Sequence, residues 1–246
     1  MPKRPNAKQP AEPIGDRRAK AAAARQAELR VERRRRLLVR SAIGALALAV
    51  VGGVTAVAAT RHEGSTGSGT AAAMPAHPRT TADGRTTPGP WDTPADPASA
   101  VAAAGLPMLD SEGTVEHIHA HLDVYVAGTQ VTVPALIGID ESAQRISPLH
   151  THDTSGVIHI ESPVQTDFTL GQFMTEWQVS LSADHLGGNT AGGDHTLTAY
   201  VNGKPVSGDP AAIVLHAHDE IALVYGTAAE NAQLTVPGSY SFAAGL

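Results

Sequence analysis

His117-Ile-His-Ala-His-Leu-Asp-Val-Tyr-Val126 is the stretch on which the fold turns. From His119 onward it alternates, with Ala120, Leu122, Val124 and Val126 on one face and His119, His121, Asp123 and Tyr125 on the other. A period of two marks a β-strand, and the apolar set must pack on a core. The His-x-His spacing leaves imidazoles on the opposite side, about 6–7 Å apart along the chain. That side is a candidate metal face.

Three further stretches repeat the chemistry. Val157–Glu161 predicts a strand with Ile158 and Ile160 on one face and His159 and Glu161 on the other. His150 with His152, and His216 with His218, repeat the His-x-His spacing. The candidate ligands are therefore His117, His119, His121, His150, His152, His159, Glu161, His216 and His218, with Asp123, Asp153 and Asp219 placed to ligate or to orient imidazoles. Two or three imidazoles with a carboxylate suit a divalent metal ion such as Zn or Cu(II), and Ni(II) fits as well. The absence of cysteine and of a Met-rich cluster argues against Cu(I). Eight clustered histidines exceed one site's needs, so either two sites exist or some are surface residues. A metal-free alternative also stands: histidine titrates near pH 6.5, and a clustered His face could be a pH-sensitive contact surface.

Catalytic signatures are thin. His150-x-His152 with Glu161 downstream is similar to the first metal motif of the cupins, which would imply a metal-dependent oxygenase or hydrolase. The spacing departs, because Gly156 and Val157 stand where that motif needs Glu. No His-Glu-x-x-His helix, Gly-x-Ser-x-Gly elbow or phosphate loop occurs. The balance favours a binding protein over an enzyme, and no catalytic residue is assigned.

Around these strands the signals predict an α+β domain, a mixed sheet of about five to six strands with one packed helix. Gly128 turns the first strand into Val131-Thr132-Val133, and Asn202-Gly203 joins Thr196–Val201 to Lys204–Val206 as a second hairpin. Thr169-Leu170-Gly171-Gln172 is a capping box opening a helix with Leu170, Phe173, Met174, Trp177 and Leu181 at helical spacing. Glu220–Tyr225 predicts a last strand. Tyr125-Val-Ala-Gly followed by Leu149-His-Thr-His-Asp153 echoes Tyr200-Val-Asn-Gly followed by Leu215-His-Ala-His-Asp219. Duplication and chance likeness of two hairpins both account for it.

N-terminal to the domain the composition changes. Residues 1–40 carry 13 Lys/Arg against 4 Asp/Glu, whereas residues 106–246 carry 2 against 16. Between them Ser41–Thr60 is uncharged over 20 residues, long enough as a helix to cross a bilayer. The expected layout is a basic cytoplasmic tail over 1–40, largely disordered, a transmembrane signal anchor over 41–60, a low-complexity linker over 61–105 and the His-rich extracytoplasmic domain over 106–246. A cleaved signal peptide, with Ala56-Val57-Ala58 at the cut, is the rival reading of the apolar run. Arg33–Arg36 and Arg40 flank the span on its N-terminal side, which predicts an N-terminus inside the cell and the domain outside. The expected partners are the membrane, a metal ion and a cell-wall polymer or protein. Nucleic acid is not among them, because the basic head reads as topology and lipid contact.

Two resemblances follow. His117–Val126 and Leu149-His-Thr-His-Asp-Thr-Ser-Gly-Val-Ile-His-Ile-Glu-Ser162 resemble an uncharacterised bacterial family of membrane-anchored, His-rich extracytoplasmic proteins. The resemblance covers about half the chain and implies location more than chemistry. Leu170–Leu181 with Ala199-Tyr-Val-Asn-Gly-Lys-Pro-Val and His218-Asp-Glu-Ile-Ala-Leu-Val-Tyr-Gly226 is similar to the back half of the β-grasp fold, as in small sulfur-carrier proteins. Those carriers end in Gly-Gly and this chain ends Phe242-Ala-Ala-Gly-Leu246, so the likeness implies fold alone.

Overall fold

The computed structural model describes residues 74–246. The basic tail, the apolar span and the first part of the linker lie outside the described residues. Among the described residues no helix is long and apolar enough to cross a membrane.

The His-rich stretch forms β1 (Glu116–Val126), the longest strand of the sheet. The same sheet contains β2 (Thr129–Val131), β5 (Leu149–His150), β6 (Val157–Ser162), β9 (His195–Val201), β10 (Lys204–Val206) and β11 (Glu220–Thr227). The order across the mixed sheet is β10-β9-β11-β1-β6-β5, with β2 also on β1. Eleven residues let β1 hold two partners on one edge: β6 pairs with Glu116–His121 and β2 with Val124–Val126. On the other edge β11 runs parallel to β1, matching His121 with Glu220 and Leu122 with Ile221. Two small ribbons complete the strands, β3 (Ile139–Asp140) with β4 (Arg145–Ile146) and β7 (His185–Leu186) with β8 (Asn189–Thr190).

Both expected hairpins form, the first with its return strand at Thr129–Val131 where Val131–Val133 was expected. Ala127-Gly128 has φ of 50° and 72°, and Asn202-Gly203 has 53° and 73°. Two consecutive positive φ values match the twist of antiparallel strands, which explains Gly at the second position.

One sheet face is the core. Ala120, Leu122, Val124, Ile158, Ile160, Leu149, Ile221 and Leu223 form one buried cluster with Leu170, Phe173, Met174 and Trp177. Each fully buried side chain of this size contributes about 1.5–3 kcal/mol. The helical residues belong to α2 (Leu170–Glu176), where the Thr169–Gln172 capping box is fully formed. The helix is shorter than its apolar spacing predicts. Gln178, at φ 58°, ends it, and Leu181 instead bridges extended backbone at Ala82 and Leu186.

The larger correction lies before residue 106. The linker expected over 61–105 is, from residue 74, part of the folded unit. It contains α1 (Pro97–Ala103) and contributes Ala82, Trp91, Val101 and Ala104 to the core. Its composition suggested disorder because it offers few large apolar side chains. Those it has are well used: Trp91 meets Trp177 edge to face at 5.7 Å, and the alanines pack close. Arg85 ties the segment down through the carbonyls of Trp177 and Gln178. The sheet has seven strands, above the expected five to six, and two helices pack where one was expected.

Candidate metal centre

The opposite sheet face gathers imidazoles by register. His119 stands across from His159, His117 from Glu161, and His159 in turn from His150 on β5. Strands lie about 4.8 Å apart, so same-face side chains in register are brought into contact. Here the contacts are polar atom to polar atom. His119 Nε2 is 3.1 Å from His159 Nδ1, and His150 Nε2 is 3.2 Å from His152 Nε2. Glu161 Oε1 lies 3.1 Å from His159 Nδ1, 3.3 Å from His117 Nε2 and 4.0 Å from His119 Nε2.

These separations suit a shared cation. Two nitrogens at roughly 2.0–2.1 Å from a tetrahedral zinc ion lie about 3.3 Å from each other. His150, His152, His159 and Glu161 each offer a ligand atom, all within 4.8 Å of one another, and so do His117, His119 and Glu161. The tautomer of His150 is set by its neighbour. Its Nδ1 donates to the Ser147 carbonyl at 2.9 Å, which leaves the Nε2 lone pair facing the cluster.

Burial favours the neutral imidazole at His150 and His119. Desolvation, reinforced by the neighbouring His152 and His159, lowers His150 to about 3. Desolvation with His159 and His117 lowers His119 to about 4. Both are neutral at pH 7, the form that binds metal. Glu161 goes the other way from most buried acids. Burial works to raise it, yet the hydrogen bond to His159 and the charges of the surrounding imidazoles hold it at about 2.

Three buried carboxylate oxygens lack a hydrogen-bond partner among the described residues: Glu161 Oε2, Glu176 Oε2 and Glu220 Oε1. Burial pushes Glu176 well up and Glu220 up, which favours their neutral form. Of the three, Glu161 alone has its pKa lowered.

Glu112 joins the cluster from the loop before β1. Its Oε1 is 3.7 Å from His152 Nε2, and burial followed by the charge of Glu161 raises its carboxyl. Gly113 makes this approach possible, because a Cβ there would lie 2.1 Å from the Ser162 carbonyl carbon on β6. Sequence reasoning missed Glu112. It belongs to no strand pattern, and its only signal is closeness in sequence to the His-rich strand.

His121, though on the same face, has a different environment. Its Nε2 donates to the Ser155 carbonyl at 2.8 Å and its Nδ1 lies 2.8 Å from Glu220 Oε2. Burial opposes its charge, but the hydrogen bond to Glu220, that carboxylate's charge and the Ser155 carbonyl together raise its pKa. The turn at Gly156, φ 87°, brings this carbonyl in. His121, Asp123 and Glu220 also lie within metal-holding reach of one another. With both ring nitrogens facing oxygen acceptors, and Asp123 Oδ1 accepting from Gln130 at 2.6 Å, this trio is a charge-paired cluster.

His216 and His218 fall outside both His/Glu groups. They occupy a turn before β11, where His-x-His spacing no longer aligns side chains. His216 points largely to solvent beside Asp219, and His218, at φ 64°, packs its ring near Phe242. Asp153 accepts from the Ser155 amide, a turn contact, and Asp219 accepts from Asn202 and the His216 amide.

Comparison with protein-family models, with curated proteins and with solved structures finds no match to this chain.

Proposed function

We propose that this protein binds a divalent metal ion, Zn or Cu(II), at the His/Glu centre, in a sensing, buffering or delivery role. One observation carries the reading: the buried Glu161 carboxylate has imidazole nitrogens at 3.1, 3.3 and 4.0 Å from Oε1, while Oε2 has no hydrogen-bond partner. An unpaired buried carboxylate oxygen costs on the order of 1–3 kcal/mol or more, and a bound cation removes that cost. The metal-free contact surface is less well supported, because His119, His150 and His159 are buried and cannot meet a partner directly.

The proposed setting is outside a membrane, held by the span at 41–60. Its support is the charge asymmetry about that span and the resemblance of the His strings to anchored extracytoplasmic proteins. The proposed fold type is β-grasp-like: a β1–β2 hairpin, a helix, a β9–β10 hairpin and a final strand returning parallel to β1. In that frame residues 132–162 are an insertion, and they carry His150, His152, His159 and Glu161.

The test is metal analysis of the untagged full-length chain after chelation, reloading with Zn²⁺ and dialysis. At least one equivalent is expected to remain, and His150→Ala and His152→Ala are expected to lower it. Retention of no stoichiometric metal by the folded wild type would overturn the reading. For the location, the absence of cysteine makes Ala229→Cys a unique exposed thiol. A membrane-impermeant maleimide is expected to label it in intact cells, and labelling only after lysis would reject an outside domain.

A further inference from the structure

We infer that the centre is built for two cations that share Glu161, one enclosed by protein and one open to an exchangeable ligand. The inference rests on the metal-binding reading above and goes past it in number and in kind. The two ligand groups overlap at Glu161 alone. His150, His152, His159 and Glu161 are three imidazoles and a carboxylate, a full four-coordinate set. His117, His119 and Glu161 are three ligands, which leave a tetrahedral ion at least one position for water or a small oxygen donor.

The five imidazoles and Glu161 do not form one group whose ligand atoms all lie within 4.8 Å of one another. His150 belongs to β5 and His117 to β1, with β6 between them. Two strand spacings put their backbones roughly 10 Å apart. Glu161 stands on the middle strand, between the two groups, and its two oxygens allow it to bridge a pair of ions. Its Oε1 already faces His159 and His117, and its Oε2 is buried without a partner. Two ions about 3.5–4 Å apart with a bridging ligand are a recurrent arrangement in binuclear sites.

The surroundings divide the two positions. His150 is fully buried, His159 is 9% exposed and Glu161 3%, and of this group the His152 side chain alone, 39% exposed, reaches solvent. The side chain of His117 is half exposed, and His117 and His119 line an open cavity of ≈ 370 Å³ together with Ala217, His218 and Gly245. The enclosed ion holds the β5–β6 edge together. The open ion exchanges and takes a ligand from the cavity.

The experiment titrates Zn²⁺ into the full-length apo chain against a chromophoric chelator and repeats the loading with Cu²⁺ for electron paramagnetic resonance. Two ions per chain are expected, the second at least about tenfold weaker. His117→Ala is expected to remove the weaker ion while leaving the tighter one within about threefold, and His150→Ala to remove the tighter class. Doubly Cu²⁺-loaded protein should give the half-field signal of a coupled pair. A single ion, insensitive to His117→Ala, overturns the two-cation inference and leaves metal binding standing. No bound ion overturns both. Two ions that both survive His117→Ala, or that give uncoupled Cu²⁺ spectra, put the second ion elsewhere and also overturn it. His117 is half exposed, so its replacement tests the site without emptying the core.

Discussion

On one face of β1, Ala120, Leu122 and Val124 disappear into a packed core; on the other, His119 and His121 are nearly as buried, at 3% and 4% exposure, but among polar neighbours. The apolar face is completed by protein alone, because α2 and the 74–104 segment supply partners for its whole surface. The polar face divides along its length. At His121 both ring nitrogens have oxygen acceptors; Glu220 Oε1 beside it has no partner among the described residues, and burial shifts that carboxyl toward its neutral form. At Glu161 a buried oxygen is left without a partner beside imidazoles whose lone pairs converge. Burial of polar atoms is tolerated where each finds a partner, and a buried orphan next to convergent ligands marks where a non-protein group belongs.

The sharpest test of this contrast is on the apolar side. Trp177 is fully buried, meets Trp91 edge to face and donates its indole N–H to the Trp91 carbonyl at 3.2 Å. Trp177→Ala is expected to cost about 3–5 kcal/mol in urea unfolding. The loss should be equal, within about 0.5 kcal/mol, for apo and Zn²⁺-loaded protein, since Trp177 packs with Trp91 in the apolar core and not on the imidazoles. A loss that depends on metal would mean that the two faces are coupled and would break the comparison.

A smaller effect belongs to the polar face in the apo state. His150 and His119 have folded pKa values lowered to about 3 and about 4, so below pH 6.5 the unfolded chain takes up protons that the folded chain refuses. The contribution of His150 and His119 is therefore full above pH 6.5 and is lost as pH drops toward 4. It is opposed by His121, Glu112, Glu176 and Glu220, whose raised pKa values favour the folded state as pH falls. The slope is about 1.4 kcal/mol per pH unit for each lowered histidine. Glu161, held at about 2, adds a loss only below its unfolded value, as pH falls through the carboxylate range. Urea midpoints of the apo protein at pH 7, 6 and 5 measure this. Set against His150→Ala and His119→Ala, which remove the lowered groups and keep the raised ones, a wild-type midpoint that does not fall more steeply from pH 6.5 to 4.5 would show that these imidazoles protonate in place.

What could be read in advance was local. The alternation of β1, the Thr169–Gln172 box and the Asn202-Gly203 turn each lie within a few residues, and each forms as expected. What could not be read was pairing. That Glu161 faces His117 depends on antiparallel register across 44 residues, and that His121 meets Glu220 depends on a parallel pairing across 99. The spacing His-x-His reads alike at 117, 150 and 216, yet its meaning depends on whether the backbone is extended. The start of the domain was hidden for a related reason. Asp96-Pro97 is a good helix opening, with Asp96 capping Ser99 and Pro at N1, but its alanines contribute only through close packing that composition does not reveal.

The smallest expected effect tests placement against number. The His216 side chain is 72% exposed and its Nδ1 has Asp219 Oδ2 at 3.3 Å, an exposed contact worth little. Asp219 keeps its other partners without it, because Oδ2 also accepts from the His216 backbone amide and Oδ1 from Asn202. Removing the imidazole thus leaves no buried group unpaired and opens no cavity. His216→Ala is expected to change stability by less than about 0.5 kcal/mol and metal stoichiometry not at all. A lost equivalent of Zn²⁺ in this variant would mean that affinity follows how many histidines the chain carries. An unchanged titration, set beside the loss expected for His150→Ala, would tie it to the register that brings five of them around Glu161.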